Sequence, residues 1–339
     1  MIVVAEDWLS RFFEMMTVSG RLDLRCSYGA SWRIDQRPGK IGEIPYHAVI
    51  AGSAVLDGQA GSPPLGLKAG DILVLPGNPH HVLHDGGGKE PTQAVNRSSY
   101  GITISENVGT GERLDMLCGR FVIRQPYDRL LARYLPPRLV VRAGAQGAGS
   151  GRSNTAAQLG NLVTWMRSEA TGSQIGGVAI LNALSAALFT LTMRLASEAN
   201  DAPAGLLSIA QHSSLAPALT ALFGEPARSW SLPELSRLCN MSRATFVRRF
   251  QEKLGRSARD LLTEVRMTLA ANELRKPSMS TGAVADSVGY QSEAAFQRAF
   301  KSYMGVTPAE WRRLQMRTKR NGEGVAAALD GWQAPADQG

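Results

Sequence analysis

The strongest constraint on this chain is a pattern that it carries twice. Glu234–Gly255 reads ELSRLCNMSRATFVRRFQEKLG, and Val284–Gly305 reads VADSVGYQSEAAFQRAFKSYMG. Set 50 positions apart, Leu238 falls with Val288, Ser242 with Ser292, Ala244 with Ala294, Phe246 with Phe296, Phe250 with Phe300 and Gly255 with Gly305. Each match has a structural meaning. A first helix is expected to end near Leu238 or Val288. A tight turn follows, Cys239-Asn240-Met241 in one copy and Gly289-Tyr290-Gln291 in the other. Gly289 tolerates a positive φ there, and Asn240 serves similarly. Ser242 and Ser292 stand where an N-cap oxygen satisfies a free backbone N–H. Phenylalanines four apart share one helix face and plug a core. Gly255 and Gly305 fit C-terminal caps.

Helix, tight turn, helix is the geometry that lays a second helix in a DNA major groove. With one face committed to phenylalanine, the opposite face is left for solvent or a partner. In the first copy it carries Arg243, Ala244, Val247 and Arg248; in the second it carries Glu293, Gln297, Arg298 and Lys301. Arginine donates two parallel bonds to guanine, and glutamine pairs with adenine. Arg249, Lys253 and Lys301 suit phosphates. The bland alternative is a solvated basic surface. Between the copies, Arg259–Lys276 reads as one long helix stopped by Pro277. Such a rod would hold two recognition helices about 34 Å apart, one turn of DNA.

Charge agrees with this placement. The whole chain of 339 residues carries a formal +8. Ser231–Arg320 holds 17 Lys/Arg against 8 Asp/Glu, a balance of +9, which leaves −1 for everything else. A basic segment beside a near-neutral remainder points to a polyanion-binding domain joined to something different.

The remainder changes character. Residues 1–16 read as a short amphipathic helix. From about Asp23 to Pro126, short β-prone runs such as YHAVIAG, DILVLP and CGRFVI alternate with Gly and Pro, as in a sandwich or barrel. Ala143–Asn154 has the composition of a flexible loop. Helical periodicity then resumes, and Gly177–Ala199 is apolar around much of its circumference, as expected for a core or subunit contact. No apolar run of about 18 residues stands out, so no membrane span is expected. The first residues carry acids where a signal peptide is basic, so a cytoplasmic protein is expected. There are three cysteines and no C-x-x-C pair, which excludes a disulfide scaffold and a cysteine zinc finger. No nucleophile elbow, Walker loop or carboxylate pair announces an enzyme.

The succession MSRATFVRRF, ADSVGYQSEAAFQRAF and GVTPAEWR resembles the AraC/XylS class of transcription regulators, from about Trp230 to Arg313. The resemblance implies seven helices, one protomer gripping double-stranded promoter DNA with two helix–turn–helix units, and contact with RNA polymerase during activation. Ala244 and Val247 stand where other members often carry larger or polar residues, so Arg248 and methyl contacts would do most of the reading in the first copy. Gly70–His80, GDILVLPGNPH, resembles the second conserved motif of cupin barrels, which in such regulators commonly hold the effector. The earlier cupin motif supplies His47 but no H-x-H, so a three-histidine metal site is incomplete. His80, His81 and His84 remain weak metal candidates, and no cofactor is expected.

Cys26 follows Arg25 and Cys118 lies two residues before Arg120, and a nearby cation favours the reactive thiolate. Both cysteines also resemble positions that recur in a cupin-fronted subgroup that includes regulators responding to reactive chlorine. That likeness implies oxidation of Cys26, with Cys118 as a candidate partner. The alternative is two small buried hydrophobes, which is how Cys239 reads.

The resulting expectation is an α+β protein with an N-terminal cupin-like β-barrel followed by an all-α double helix–turn–helix domain. Its divisions are a sensor domain with the short N-terminal helix (1–140), a Gly/Ser loop (141–155), a helical linker or dimerisation segment (156–204), the DNA-binding domain (205–320) and a loose tail (321–339). A homodimer responding to a small-molecule or oxidant effector is expected. The competing readings are a metal-dependent cupin enzyme with a basic helical appendage, and a scaffold that binds nucleic acid without sequence preference.

Overall fold

The computed structural model describes residues 7–58, 63–99, 101–143, 154–172, 174–199 and 205–321. The expected tail and most of the Gly/Ser loop lie outside these residues. The chain divides into two compact units, residues 16–211 and residues 7–15 with 212–321.

The first unit contains eleven strands among the described residues: β1 (Val18–Gly29), β2 (Arg33–Gln36), β3 (Glu43–Ala51), β4 (Ser53–Leu56), β5 (Leu65–Lys68), β6 (Asp71–Val74), β7 (His81–His84), β8 (Ala94–Ser99), β9 (Ile102–Asn107), β10 (Arg113–Ile123) and β11 (Leu139–Arg142). They form a seven-stranded sheet, β11-β6-β3-β10-β1-β9-β8, and a four-stranded sheet, β2-β7-β4-β5. Between them sits a core of Cys26, Tyr28, Trp32, Val49, Leu56, Leu73, Leu83, Met116 and Cys118, with their neighbours. A half-buried strand alternates inside and outside; β3 does not, because its central residues are buried on both faces. His47 and Val49 look into the barrel. Tyr46, on the other face, stacks on Phe121 at 4.6 Å, and Phe121 meets Phe189 at 4.8 Å.

Phe189 belongs to a helix that covers the back of the large sheet. After α1 (Trp8–Met15) and α2 (Tyr127–Tyr134), the helices of this region are α3 (Asn154–Thr171), α4 (Gly177–Glu198) and α5 (Leu206–Gln211). Leu181, Leu184, Ser185, Leu188, Phe189, Thr192, Met193 and Ala196 are the buried residues of α4, spaced three and four apart on one face. By length and composition alone α4 would pass as a membrane-crossing helix. Its buried stripe is instead applied to β1 and α3. The approach is close: a Cβ on Gly20 of β1 would collide with Ser185, whose hydroxyl lies 2.9 Å from that of Tyr46.

The second unit holds seven further helices among the described residues: α6 (Ala216–Gly224), α7 (Leu232–Leu238), α8 (Arg243–Leu254), α9 (Ala258–Glu273), α10 (Thr281–Ser287), α11 (Glu293–Met304) and α12 (Pro308–Asn321). It also contains α1. The sequence assigned this helix to the barrel, but its apolar face packs on α6, with Phe12 and Phe223 at 5.1 Å between ring centroids. Amphipathicity announces that a helix has a partner; it does not say which one.

Candidate functional site

The two repeated units fold as their residues dictate. Ser242 accepts a bond from the Thr245 N–H and Ser292 from the Ala295 N–H, so both recognition helices are capped as expected. Asn240 and Gly289 have φ of 50° and 82°, and Gly255 and Gly305 end the helices at φ 78°. Phe246 and Phe250 are buried in one copy, Phe296 and Phe300 in the other.

One detail differs from the sequence reading. The constant offset of 50 holds for α8 and α11 but not for the helices before them. α7 and α10 start 49 apart, the left-handed residues Asn240 and Gly289 are 49 apart, and so are the turn-closing bonds Met241 N–H to Ser236 O and Tyr290 N–H to Ala285 O. The second turn is therefore one residue longer. Val288, 3% exposed, matches Cys239, 2% exposed, while Leu238 is 43% exposed and plugs nothing.

Arg243, Ala244, Val247 and Arg248 are all exposed on α8, as are Glu293, Gln297, Arg298 and Lys301 on α11. Some are engaged with each other. Arg248 donates to Glu252 at 2.9 Å, and the Gln297 amide donates to Glu293 at 2.9 Å. Exposed pairs of this type cost little to exchange for a groove contact. The framework behind them is more firmly tied. Arg266 on α9 donates to the carbonyls of Pro226, Ala227 and Arg228, and Trp311 donates to the Ala271 carbonyl.

Inside the barrel the sequence reading needs two corrections. The first concerns the histidines. His80 bonds Asp35 at 2.8 Å and His84 bonds Asp57 at 2.9 Å, while His81 turns inward. They do not converge, and among the described residues no three His, Cys, Asp or Glu form a metal-holding group. The residues present do not fit the metal of a cupin enzyme.

The second correction concerns the cations beside the cysteines. Strand alternation turns Arg25 away from Cys26, and its guanidinium bonds Asp115 through two contacts at 3.0 and 3.1 Å. Arg167 of α3 reaches the same carboxylate at 2.9 Å. Arg120 is spent on Asp23 and Glu43 at 3.1 and 3.3 Å. Neither arginine is left to favour a thiolate. Contact with the Cys26 thiol and burial together push the Cys118 thiol well above its usual range.

The two cysteines are nonetheless neighbours. In the β1–β10 register Cys26 faces Met116 and Cys118 faces Leu24, so the cysteines are diagonal neighbours on the inner face, 0% and 6% exposed. On the other side of β10, Cys118 is paired with His47 of β3. His47 Nδ1 lies 3.1 Å from Cys118 Sγ, and His47 Nε2 lies 2.8 Å from His81 Nε2. His81 Nδ1 lies 2.9 Å from the Pro79 carbonyl. Burial, then the neighbouring His81, pulls His47 down to about 3; burial also lowers His81. Both rings are neutral at pH 7. In the sequence His47 reads only as the lone histidine of an incomplete metal motif. Its link to Cys118 spans 71 residues and depends on strand register, which no local pattern encodes.

A unit with two capped, outward-facing recognition helices, preceded in the chain by a barrel, defines a DNA-binding regulator with a cupin-type domain. Comparison with known families agrees. Residues 7–198 match the family described as Cupin, and residues 235–314 match the family described as Helix-turn-helix domain. An uncharacterized HTH-type transcriptional regulator of Haemophilus influenzae is 30% identical over 308 residues, covering 91% of this chain and 98% of the relative. The RCS-specific HTH-type transcriptional activator RclR of Escherichia coli is 26% identical over 90% of this chain and 97% of its own length. The HTH-type transcriptional regulator MtrA of Neisseria gonorrhoeae is 28% identical over 91% of this chain and 98% of its own length. The chain belongs to the AraC-type helix–turn–helix transcription regulators that carry an N-terminal cupin domain. It binds promoter DNA and is a regulator, not an enzyme.

Proposed function

We propose that this regulator responds to an oxidant through Cys26 and Cys118 and reads its operator through two adjacent major-groove segments. Arg243, Ala244, Val247 and Arg248 face one segment, and Glu293, Gln297, Arg298 and Lys301 face the other. It works in the cytoplasm as a homodimer and contacts RNA polymerase when it activates. The apolar side chains of Trp165, Val178 and Ile180, exposed on α3 and α4, support a contact between copies.

One observation carries the sensing half: two buried thiols, neither held in a disulfide, are diagonal neighbours on paired strands inside the barrel. Buried thiols in a reducing compartment are normally inert packing. A pair on adjacent strands is different, because joining it would alter the spacing of β1 and β10, the strands on which α4 is seated. The test is DNA binding by wild type and Cys26→Ser, with and without mild oxidant, at fixed salt. Wild type should change affinity on oxidation and Cys26→Ser should not. Identical behaviour of the two proteins ends the oxidant reading and leaves a small-molecule effector. Equal binding of promoter and scrambled duplex would point to a non-specific scaffold.

A further inference from the structure

The barrel holds a chain of hydrogen bonds whose direction is fixed at one end. The Pro79 carbonyl only accepts, so His81 carries its proton on Nδ1. The ring is neutral, so His81 Nε2 is a bare acceptor. The 2.8 Å contact then requires His47 to carry its proton on Nε2. His47 Nδ1 is consequently a bare lone pair, and the group facing it at 3.1 Å is the Cys118 thiol. The order is Cys118 S–H to His47, His47 N–H to His81, His81 N–H to the Pro79 carbonyl. The two arginines that might have helped Cys118 ionise are paired with carboxylates. Among the described residues, the base that faces its proton is the His47 imidazole.

We propose that Cys118 is the resolving thiol of the sensor, that His47 is the base that takes its proton, and that His81 is the positioning residue that keeps the accepting nitrogen of His47 bare. This rests on the oxidant reading above. A two-electron oxidant of the hypohalous acid or peroxide class first converts the Cys26 thiol into a sulfur bearing chloride or hydroxyl, releasing water. The Cys118 sulfur then attacks the Cys26 sulfur. The S–S bond forms, the S–Cl or S–O bond breaks, and chloride or hydroxide departs with the electron pair. The Cys118 proton passes to His47 Nδ1 in the same step, while the His47 Nε2 proton stays on His47, hydrogen-bonded to His81 Nε2. Two sulfurs are each oxidised by one electron, and the oxidant is reduced by two.

The test uses the reduced full-length protein and stoichiometric hypochlorite or hydrogen peroxide, quenched at intervals with an alkylating agent. The Cys26–Cys118 cross-linked peptide is then quantified by mass spectrometry. His47→Asn keeps an oxygen near the position of Nδ1, so it still accepts the S–H bond but cannot hold the proton. It should cross-link about a hundredfold more slowly than wild type. His81→Leu should be slow as well. His81→Gln keeps an acceptor for the His47 N–H and should recover most of the rate, which a merely space-filling role would not predict. Equal rates in wild type and His47→Asn would overturn the relay while leaving oxidant sensing intact. No cross-link in wild type with either oxidant would sink the oxidant reading itself. A second measurement needs no oxidant and no variant that must fold differently. Imidazole ¹⁵N shifts of reduced wild type should show His47 protonated on Nε2 and His81 on Nδ1, and the reverse tautomer at His47 would overturn the relay.

Discussion

The two helix–turn–helix copies share a frame and differ in what they place on it. Both have a serine cap, a left-handed turn residue, a buried phenylalanine pair and a glycine stop. The first recognition helix carries Arg243, Arg248, Arg249 and Lys253 against Glu252; the second carries Arg298 and Lys301 against Glu293. One copy is the more strongly basic, and the other places its carboxylate and amide, Glu293 and Gln297, near the start of the helix. The cores differ as well. Phe250 has Phe246 as its aromatic neighbour, whereas Phe300 lies between Phe296 at 5.6 Å and Trp311 at 6.3 Å. The turns differ in tolerance, since Gly289 sits against the Ala227 carbonyl and Asn240 does not need a glycine. Duplication therefore preserves the fold and frees the surface, and we propose that the first copy leans more on phosphate attraction and the second more on base discrimination.

The largest effect should come from the cores. Phe300→Ala should destabilise the protein by about 3–5 kcal/mol, the usual cost of emptying a buried aromatic site. Phe250→Ala should cost about 1 kcal/mol less, because one fewer aromatic contact is lost. Denaturant titration of both variants checks this, and equal losses would erase the asymmetry. Gly289→Ala should cost about 1–3 kcal/mol for the left-handed backbone alone, and more because its methyl meets the Ala227 carbonyl. On DNA, Arg298→Ala should weaken the preferred operator by about 1–3 kcal/mol and relax one base position. Arg249→Ala should weaken all sequences alike and lower the salt slope by about 1. If the two arginines exchange these signatures, the division between copies is reversed. The smallest effect is at the first turn. Asn240→Gly should change stability by no more than about 0.5 kcal/mol, since glycine adopts positive φ readily but loses more entropy on folding.

Much of this unit was legible in the sequence, because its signals are local. A cap, a stop and a four-residue phenylalanine spacing all lie within one turn of the residues they govern. The added residue in the second turn was hidden for a physical reason: aligning on the stronger recognition-helix pattern forced a single offset on both helices. The barrel was legible as a class but not as a site. Arg25 and Cys26 are neighbours in sequence and face opposite ways in a strand, so proximity along the chain misplaced the cation. His47 and Cys118 are distant in sequence and bonded in space. The partner of α1 was equally invisible, since nothing in its eight residues names α6.

The position of α1 has a practical consequence for how the polypeptide can be divided. The DNA-binding unit draws on both ends of the chain, so the barrel is topologically an insertion within it. A fragment beginning at His212 would contain every recognition residue yet lack the Phe12 ring that lies against Phe223. It would present a bare apolar strip on α6 to solvent, and its solubility would report that missing helix before its DNA affinity reported anything about signalling.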